Sequence, residues 1–215
     1  MDTYEAARGT VRQAIATLRT EGLVDIEQGR GAFVRRRPPV HRKAYDRFAR
    51  RHRDAGKAAY LIELEEEGRH PEVEVLEVAP APAPAEIARL LQVPEGSQVL
   101  VRRRRYLADG QPMELATSYL PLELVQGTKV TETDTGPGGI YARLEEMGHR
   151  LKRFTEDVRA RMPLPEEARA LRLPPGVPVF VLVRVAYDVE DTPVEVCDTV
   201  MAADRYVLSY ELPAR

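Results

Sequence analysis

The sequence predicts an α+β protein in which a small helix-and-hairpin unit precedes a larger antiparallel sheet with helices on one face. Three observations predict this class: an amphipathic helix near the N-terminus, alternating strand patterns after residue 59, and a repeated helix–hairpin unit among those strands. A chain of 215 residues has room for two domains. Its composition, 43% hydrophobic and 31% charged, supplies a core and excludes a disordered chain.

Composition excludes several classes of protein. A single cysteine, Cys197, excludes a disulfide framework and a Cys-built zinc site, and the four histidines lack metal-ligand spacing. No apolar run approaches the roughly 20 residues of a membrane helix, so we expect a cytoplasmic protein with no membrane partner. The Gly-rich stretch 136–139 lacks the ending of a P-loop, and no acid–base or nucleophile constellation is present. We therefore expect no enzyme activity, no metal and no cofactor.

Charge is distributed unevenly along the chain. Residues 1–57 carry 14 Lys and Arg against 7 Asp and Glu, whereas residues 58–215 carry 18 against 27. A basic block joined to an acidic body indicates that the N-terminal end contacts a polyanion. A solvated, Arg-rich helical face explains the counts equally well, so charge alone leaves both explanations open.

The first part of the chain predicts a helix followed by a short β-hairpin. The apolar residues of a helix over about 7–21 recur every three or four positions and form one stripe: Val11, Ala14, Ile15 and Leu18. Gly22 stands where a C-terminal helix glycine belongs, and two short strands follow around a tight turn at 28–31. A helix and a hairpin with Arg30 at its tip form the second half of a winged helix-turn-helix.

Prolines and charge mark the domain boundaries. Pro38 and Pro39 stop regular structure, so we assign residues 1–37 to the winged helix-turn-helix. The basic stretch 38–58 is weakly amphipathic, and we predict that it is a linker. Residues 59–213 then form the second domain.

The second domain contains an internal duplication. Residues 86–96 match residues 166–176 at an offset of 80, and each copy predicts a short helix, a turn and two long strands. The matches continue along the strands, pairing Arg104 with Arg184 and Glu114 with Glu195. A hairpin signal at 109–110 supports this prediction, and we expect the two hairpins to pair into one antiparallel sheet.

Arg184 interrupts an apolar run, 177–183, so its charge must be paired or face a polar cavity. In one interpretation, Arg104, Glu114, Arg184 and Glu195 form two internal salt bridges. In the other, the arginines bind an anion and the carboxylates accept hydrogen bonds from hydroxyls or an amine. For Arg184 itself the structural role is favoured.

The motifs of both domains resemble one family of bacterial regulators. Residues 7–15 (ARGTVRQAI), 21–24 (EGLV) and 29–34 (GRGAFV) resemble the end of the DNA-binding domain of the GntR family. The second domain resembles the UTRA effector-binding domain of the HutC branch, which has a chorismate lyase-like fold. This resemblance rests on the motifs at 102–104, 109–112, 118–121, 139–141 and 193–195. The Arg-rich style is similar to actinobacterial members.

The resemblance implies an N-terminally truncated DNA-binding domain, because family members have one helix and most of a second helix before the position of Met1. We expect the recorded start to be an internal methionine of a longer protein, or the chain to be a trimmed product; the alternative is a regulator that has lost DNA binding.

On the DNA side, the resemblance implies a recognition helix whose first turns reach base edges in the major groove. These turns contain Arg8, Thr10, Arg12 and Gln13. Arg pairs with guanine and Gln with adenine, and Thr10 suits phosphate. Arg30, beside Gly31, is expected to enter the minor groove. Each residue alone suits a solvated surface, but the ordered set predicts double-stranded operator DNA.

On the effector side, UTRA proteins bind small effectors, often sugar phosphates. The resemblance implies that a small anionic or polar effector binds at five residues: Arg102, Arg104, Glu114, Tyr141 and Glu195. We therefore expect a homodimeric transcriptional repressor with effector-controlled operator affinity, located in the cytoplasm and on the nucleoid when DNA-bound. The alternative is an effector-binding sensor module that has lost DNA binding.

Overall fold

A computed structural model describes residues 7–21, 23–34, 39–49, 51, 59–212 and 214. The predicted helix-capping Gly22 and part of the predicted linker, residues 38, 50 and 52–58, lie outside these residues.

The N-terminal unit is a helix and a two-stranded hairpin, as predicted. Helix α1 spans Arg8–Thr20, and strands β1 (Val24–Glu27) and β2 (Gly31–Val34) pair antiparallel. No side chain of α1 is buried, and its apolar stripe stays open to solvent, with Val11 43% exposed. The end of α1 meets the second domain at Gly176, where a Cβ would lie 2.0 Å from the Thr20 carbonyl oxygen. Only glycine fits this approach.

The second domain is built on a six-stranded antiparallel sheet. Its strands are β4 (Pro71–Pro82), β5 (Gln98–Ala108), β6 (Gln111–Pro121), β7 (Leu151–Arg161), β8 (Val179–Asp188) and β9 (Pro193–Ala202). The strand order is β4-β5-β6-β9-β8-β7. The β5–β6 and β8–β9 hairpins therefore pair through β6 and β9, which confirms the sheet expected from the duplication.

The duplicated sequence appears as a pseudo-symmetry of this sheet. Each half of the sheet consists of one hairpin, β5–β6 or β8–β9, and one edge strand on its outer side, β4 or β7. The backbone repeats as well: Gln92 and Arg172, equivalent at offset 80, both adopt left-handed conformations, with φ of 57° and 49°. The two copies thus fold alike, and they place Arg104 and Arg184 at equivalent positions.

Helices pack on both faces of the sheet, which corrects the expectation of helices on one face. Alternation along β5 sends Leu100 to the front face and Val99 to the back face. The front face is covered by α3 (Ala59–Glu66), α5 (Leu122–Val125) and α6 (Gly139–Glu146), and the back face by α4 (Ala85–Leu91) and α7 (Pro165–Ala170). The strands are apolar on both faces because both are covered.

The described part of the predicted linker is ordered against the second domain. Strand β3 (Val40–Lys43) pairs in parallel with β10 (Tyr206–Ser209), and α2 (Ala44–Arg47) follows directly. Val40 is 1% exposed and packs with Tyr60 and Leu64 of α3. Apolar burial and strand pairing therefore attach residues 40–48, called the strap below, to the front of the sheet.

Candidate functional site

The DNA-facing residues predicted from the sequence lie on the exposed side of the N-terminal unit. The first turns of α1 carry four of them at exposed positions: Arg8, Thr10, Arg12 and Gln13. Arg30 and Gly31 lie in the hairpin turn, also exposed, and the Arg30 guanidinium lies 5.8 Å from the centre of the Phe33 ring. All six positions are therefore exposed to solvent.

The predicted effector residues gather at the front face of the sheet. Pairing across the strands puts Arg104 level with Ala116 and Thr199, and Arg184 level with Cys197 and Ser118. Paired residues point to the same face, so Arg102, Glu114 and Glu195 share this face with both arginines. Tyr141 reaches the same region from α6.

A small polar cavity of about 40 Å³ lies at the centre of this face. Two of the five predicted effector residues, Arg104 and Glu114, line it, together with Arg184 and Cys197. Two further arginines come from the strap, Arg42 and Arg47, and the remaining lining residues are Tyr106, Ala116, Leu182, Thr199 and Met201. A cavity of this size holds a few water molecules or a small ion.

Arg102 lies beside the cavity and makes structural contacts. Its side chain is 2% exposed, and its guanidinium donates to the backbone carbonyls of Val130, Glu132 and Thr133. Burial and, to a smaller extent, the neighbouring Arg104 charge lower the pKa of Arg102 to about 10. Arg102 still carries its charge at neutral pH, and it binds the loop that covers this part of the sheet.

Tyr141, Glu195 and Arg184 form a second network. The Tyr141 hydroxyl donates to Glu195 Oε2 and accepts from Arg184 Nε at 3.0 Å. Burial raises the pKa of Tyr141 well above its usual value, so it stays a hydroxyl. Burial alone would lower the pKa of Arg184, but nearby Tyr141, Cys197, Glu195 and Glu156 raise it. The network agrees with the structural role favoured for Arg184.

Arg104 and Glu114 are cavity-lining residues with capacity left for a ligand. Arg104 donates to the Ser118 hydroxyl, and its Nε has no hydrogen-bond partner among the described residues. Within the residues that the structure describes, neither Arg104 nor Glu114 has an oppositely charged side chain within 4.0 Å, although Glu114 is only 3% exposed. A buried carboxylate on a cavity attracts a hydrogen-bond donor or a cation, and a buried guanidinium attracts an anion.

Sequence reasoning missed the strap side of the site. Arg42 forms a bidentate ion pair with Glu156 of β7, and Arg47 pairs with Glu63 of α3. The hydrogen bond from Arg42 and the charges of Arg42 and Arg184 overcome the effect of burial and lower the pKa of Glu156. At Glu63 the effect of burial is larger than the opposing effects of the Arg47 charge and hydrogen bond, so the pKa of the Glu63 carboxyl is raised. The faint amphipathicity of the linker was the available signal.

Two absences apply to the part of the chain that the structure describes. Within it, no cluster of His, Cys, Asp and Glu could hold a metal ion. None of its helices combines the length and the apolar character that crossing a bilayer requires.

Comparison with known proteins matches each of the two parts of the chain to a protein family. Residues 1–34 match the model of "Bacterial regulatory proteins, gntR family", and residues 66–207 match the UTRA domain. An uncharacterized HTH-type transcriptional regulator of Streptomyces coelicolor is 34% identical over 217 residues, covering 98% of this chain and 81% of that protein. The HTH-type transcriptional repressor NagR of Bacillus subtilis is 25% identical, covering 95% of this chain and 79% of the repressor.

A solved structure supports the same assignment. The crystal structure of PhnF from Mycobacterium smegmatis has a TM-score of 0.70 at 25% identity, covering 100% of this chain and 88% of that one. PhnF is named an HTH-type transcriptional repressor. The relatives are named as regulators rather than enzymes, and the chain belongs to the GntR family of bacterial DNA-binding regulatory proteins, with a UTRA domain as its second part.

Proposed function

We propose that the protein is a transcriptional repressor of the HutC branch whose operator affinity is controlled by a small effector bound in the front-face cavity. The observation that carries the proposal is a pair of charged residues on that cavity, the partly buried Arg104 and the buried Glu114, neither of which has an ion-pair partner among the described residues. An effector that supplies both an anionic group and a hydrogen-bond donor satisfies the two residues together.

The effector class follows from these two groups. Arg104 suits a carboxylate or phosphate, and Glu114 suits a hydroxyl or ammonium group. A sugar phosphate, a sugar acid or an amino acid carries both kinds of group. Each is larger than the few water molecules that this cavity of about 40 Å³ holds, so we expect its binding to widen the cavity.

DNA binding is tested on α1. We expect Arg12→Ala to weaken binding to an operator selected from random DNA by about 10- to 100-fold, because one bidentate contact to guanine contributes about 1–3 kcal/mol. Gel shifts and fluorescence anisotropy measure the affinity, and circular dichroism checks the fold. The matched control, Arg19→Ala in the last turn of the same helix, should change affinity much less. Equal losses in both variants would contradict a base-reading role for Arg12.

Effector control is tested on β5. We expect Arg104→Ala to keep operator binding and to lose the response to the effector, because the anionic group loses its guanidinium partner. Thermal shift against a panel of sugar phosphates, sugar acids and amino acids identifies binders, and gel shifts with each binder measure the response. The adjacent Arg103→Ala is the control, since Arg103 is 57% exposed and pairs with Glu77. A wild-type response in Arg104→Ala would contradict the assignment.

A homodimer in the cytoplasm fits this function. A two-fold protein on a palindromic operator doubles the contacts that one small recognition helix makes. Sedimentation of the purified protein measures the state, and a monomer at operator-binding concentrations would contradict it.

The second candidate function is that of an effector-binding sensor module that does not bind DNA. The observation that favours it is the open surface of α1, where no side chain is buried. Selection of operator DNA by the protein decides between the two: recovery of a sequence-specific site excludes the sensor, and recovery of none favours it.

A further inference from the structure

We propose that the strap, residues 40–48, is the movable wall of the front-face cavity, and that an effector enters by exchanging with the carboxylates that hold Arg42 and Arg47. This inference rests on the proposed function in taking the cavity as the effector site. It adds Arg42 and Arg47 of the strap to the effector site. It also assigns the strap as the segment through which effector binding is transmitted to the DNA-binding unit.

The origin of the cavity walls supports the strap as the part that moves. Nine of the eleven described lining residues belong to β5, β6, β8 and β9, each of which pairs with a strand on both sides. The other two are Arg42 and Arg47. Among the described strands, β3 pairs with the short β10 alone, over four residues. A ligand larger than a few waters therefore displaces the strap at lower cost than the sheet.

The strap is held by two buried ion pairs. In the Arg42–Glu156 pair the side chains are 2% and 9% exposed, and in the Arg47–Glu63 pair they are 9% and 8% exposed. Arg184 Nη1 lies 3.8 Å from Glu156 Oε1, so Glu156 keeps a cationic neighbour if Arg42 leaves. An anion that enters the cavity meets the same arginines and competes with both glutamates for them.

Phe48 anchors the far end of the strap. Its ring stacks on Phe154 with centroids 4.4 Å apart and meets the edge of Tyr141 at 5.9 Å. The Arg184 guanidinium lies 4.6 Å from the centre of the Phe48 ring, which links this anchor to a residue of the cavity wall. Movement of Arg184 toward a bound anion would therefore remove a contact that holds Phe48.

Release of the strap changes the reach of the DNA-binding unit. In the sequence the strap lies between the β1–β2 hairpin and the second domain. Freeing nine residues lengthens the connection by about 30 Å when it is extended. Two recognition helices must stand about 34 Å apart to read successive major grooves, so a longer and looser connection lowers operator affinity.

The experiment uses a tryptophan reporter in the full chain. The protein contains no tryptophan, so Phe48→Trp introduces a single fluorophore at the anchor. We expect blue-shifted emission and little acrylamide quenching, whereas Tyr45→Trp, at a position 56% exposed in α2, should be quenched freely. Adding Glu156→Gln to Phe48→Trp should raise the quenching constant several-fold toward that of Tyr45→Trp. Adding Asp157→Asn, at an exposed position on the same strand, should leave it unchanged.

A second measurement avoids the reporter, in case tryptophan does not fit the anchor. Trypsin cleaves after Arg42 and Arg47, and mass spectrometry measures each cleavage separately. We expect slow cleavage in the wild-type protein and several-fold faster cleavage in Glu156→Gln. Millimolar inorganic phosphate should also speed cleavage at these two sites, relative to chloride at equal ionic strength.

The outcomes separate this inference from the proposed function. Neither measurement uses DNA or the natural effector, so failure of operator binding leaves the result intact. A strap that is already cleaved or quenched freely in the wild-type background overturns the inference. So does a Glu156→Gln variant that behaves like Asp157→Asn, or an equal effect of phosphate and chloride.

Discussion

The buried and partly buried arginines of the sheet domain differ in their partners, and the partner determines what the residue can do. Arg102 and Arg205 donate to backbone carbonyls, Arg205 to those of Pro112, Leu171 and Arg172. Arg184 contacts a hydroxyl, two carboxylates and an aromatic ring. Within the described part of the chain, Arg104 has a serine hydroxyl as its single hydrogen-bond acceptor. A guanidinium bound by backbone carbonyls stabilises the fold, whereas Arg104 retains hydrogen-bond donors for an anion.

Substitution of Arg102 tests this distinction. We expect Arg102→Met to lower the free energy of unfolding by about 2–4 kcal/mol, because three loop carbonyls lose their donor and at least one of them is buried. Urea denaturation measures the change. Arg103→Met, at the exposed neighbouring position, should stay within about 0.5 kcal/mol of the wild type. If Arg102→Met left the unfolding free energy nearly unchanged, the structural role of Arg102 would be contradicted, and Arg102 would again be a predicted effector ligand.

Sequence patterns single out residues more readily than they show the partners of those residues. The resemblance and the duplication single out Arg102, Arg104, Glu114 and Glu195, and the strand pairing brings these four to one face of the sheet. They do not reveal that Arg102 is bound by carbonyls of residues 130–133, because a loop leaves no periodic pattern. Arg42 was not predicted, since its partner Glu156 lies 114 residues away.

The turn between β8 and β9 is organised by one carboxylate. Asp188 is 4% exposed and accepts hydrogen bonds from the amides of Glu190 and Thr192, each at 3.0 Å, while His149 Nδ1 lies 3.0 Å from its other oxygen. Burial alone would raise the pKa of Asp188, but these hydrogen bonds outweigh burial and lower it. The charged form of Asp188 therefore stabilises the hairpin.

The pH dependence follows from the sign of that shift. Because the folded-state pKa is lower than the unfolded value of about 3.9, the stabilisation is complete above this value and is lost as pH falls through the folded-state pKa. We expect Asp188→Asn to cost about 1–2 kcal/mol of unfolding free energy at neutral pH, and the cost to disappear as the pH falls through the lowered folded-state pKa of Asp188. Urea denaturation over this pH range measures it.

Asp191 on the same turn provides the control. It is about half exposed and pairs with Lys152 and Arg153 at the surface. Asp191→Asn should change the unfolding free energy by less than about 1 kcal/mol at any pH, because exposed ion pairs contribute little. A cost for Asp188→Asn that does not vary with pH would show that the loss comes from packing rather than charge.

Element prediction succeeds where the signal is repeated and fails where it is short. The two long hairpins are marked twice, once in each copy, and both form as predicted. The four-residue strand Val40–Lys43 is not recognisable because it forms only by pairing with Tyr206–Ser209 at the other end of the chain. The helices were expected on one face because alternation in a strand shows which residues share a face, not what covers each face.

At the scale of the whole molecule, the two units differ in how they are held. Buried clusters on both faces of the sheet surround its central strands. Helix α1 has no buried side chain, and its end lies against Gly176 of the second domain. An isolated helix of this length is marginally stable in water, so most of the stability of the molecule belongs to the sheet domain. The unit that carries the predicted DNA-binding residues is the weaker one.

Hydrogen exchange measures this difference directly. We expect the amides of α1 (Arg8–Thr20) to exchange orders of magnitude faster than those of β5, β6, β8 and β9, because local opening of α1 exposes almost no buried surface. Helix α4 (Ala85–Leu91) is the matched comparison: it is shorter but buries Ile87, Ala88 and Leu91, so it should be protected with the sheet. Binding of a selected operator should then protect α1 and leave α4 unchanged, since DNA supplies the contacts that α1 lacks. Equal protection of α1 and α4 in the free protein would show that the N-terminal unit is stabilised by burial, and the proposed ordering by DNA would be wrong.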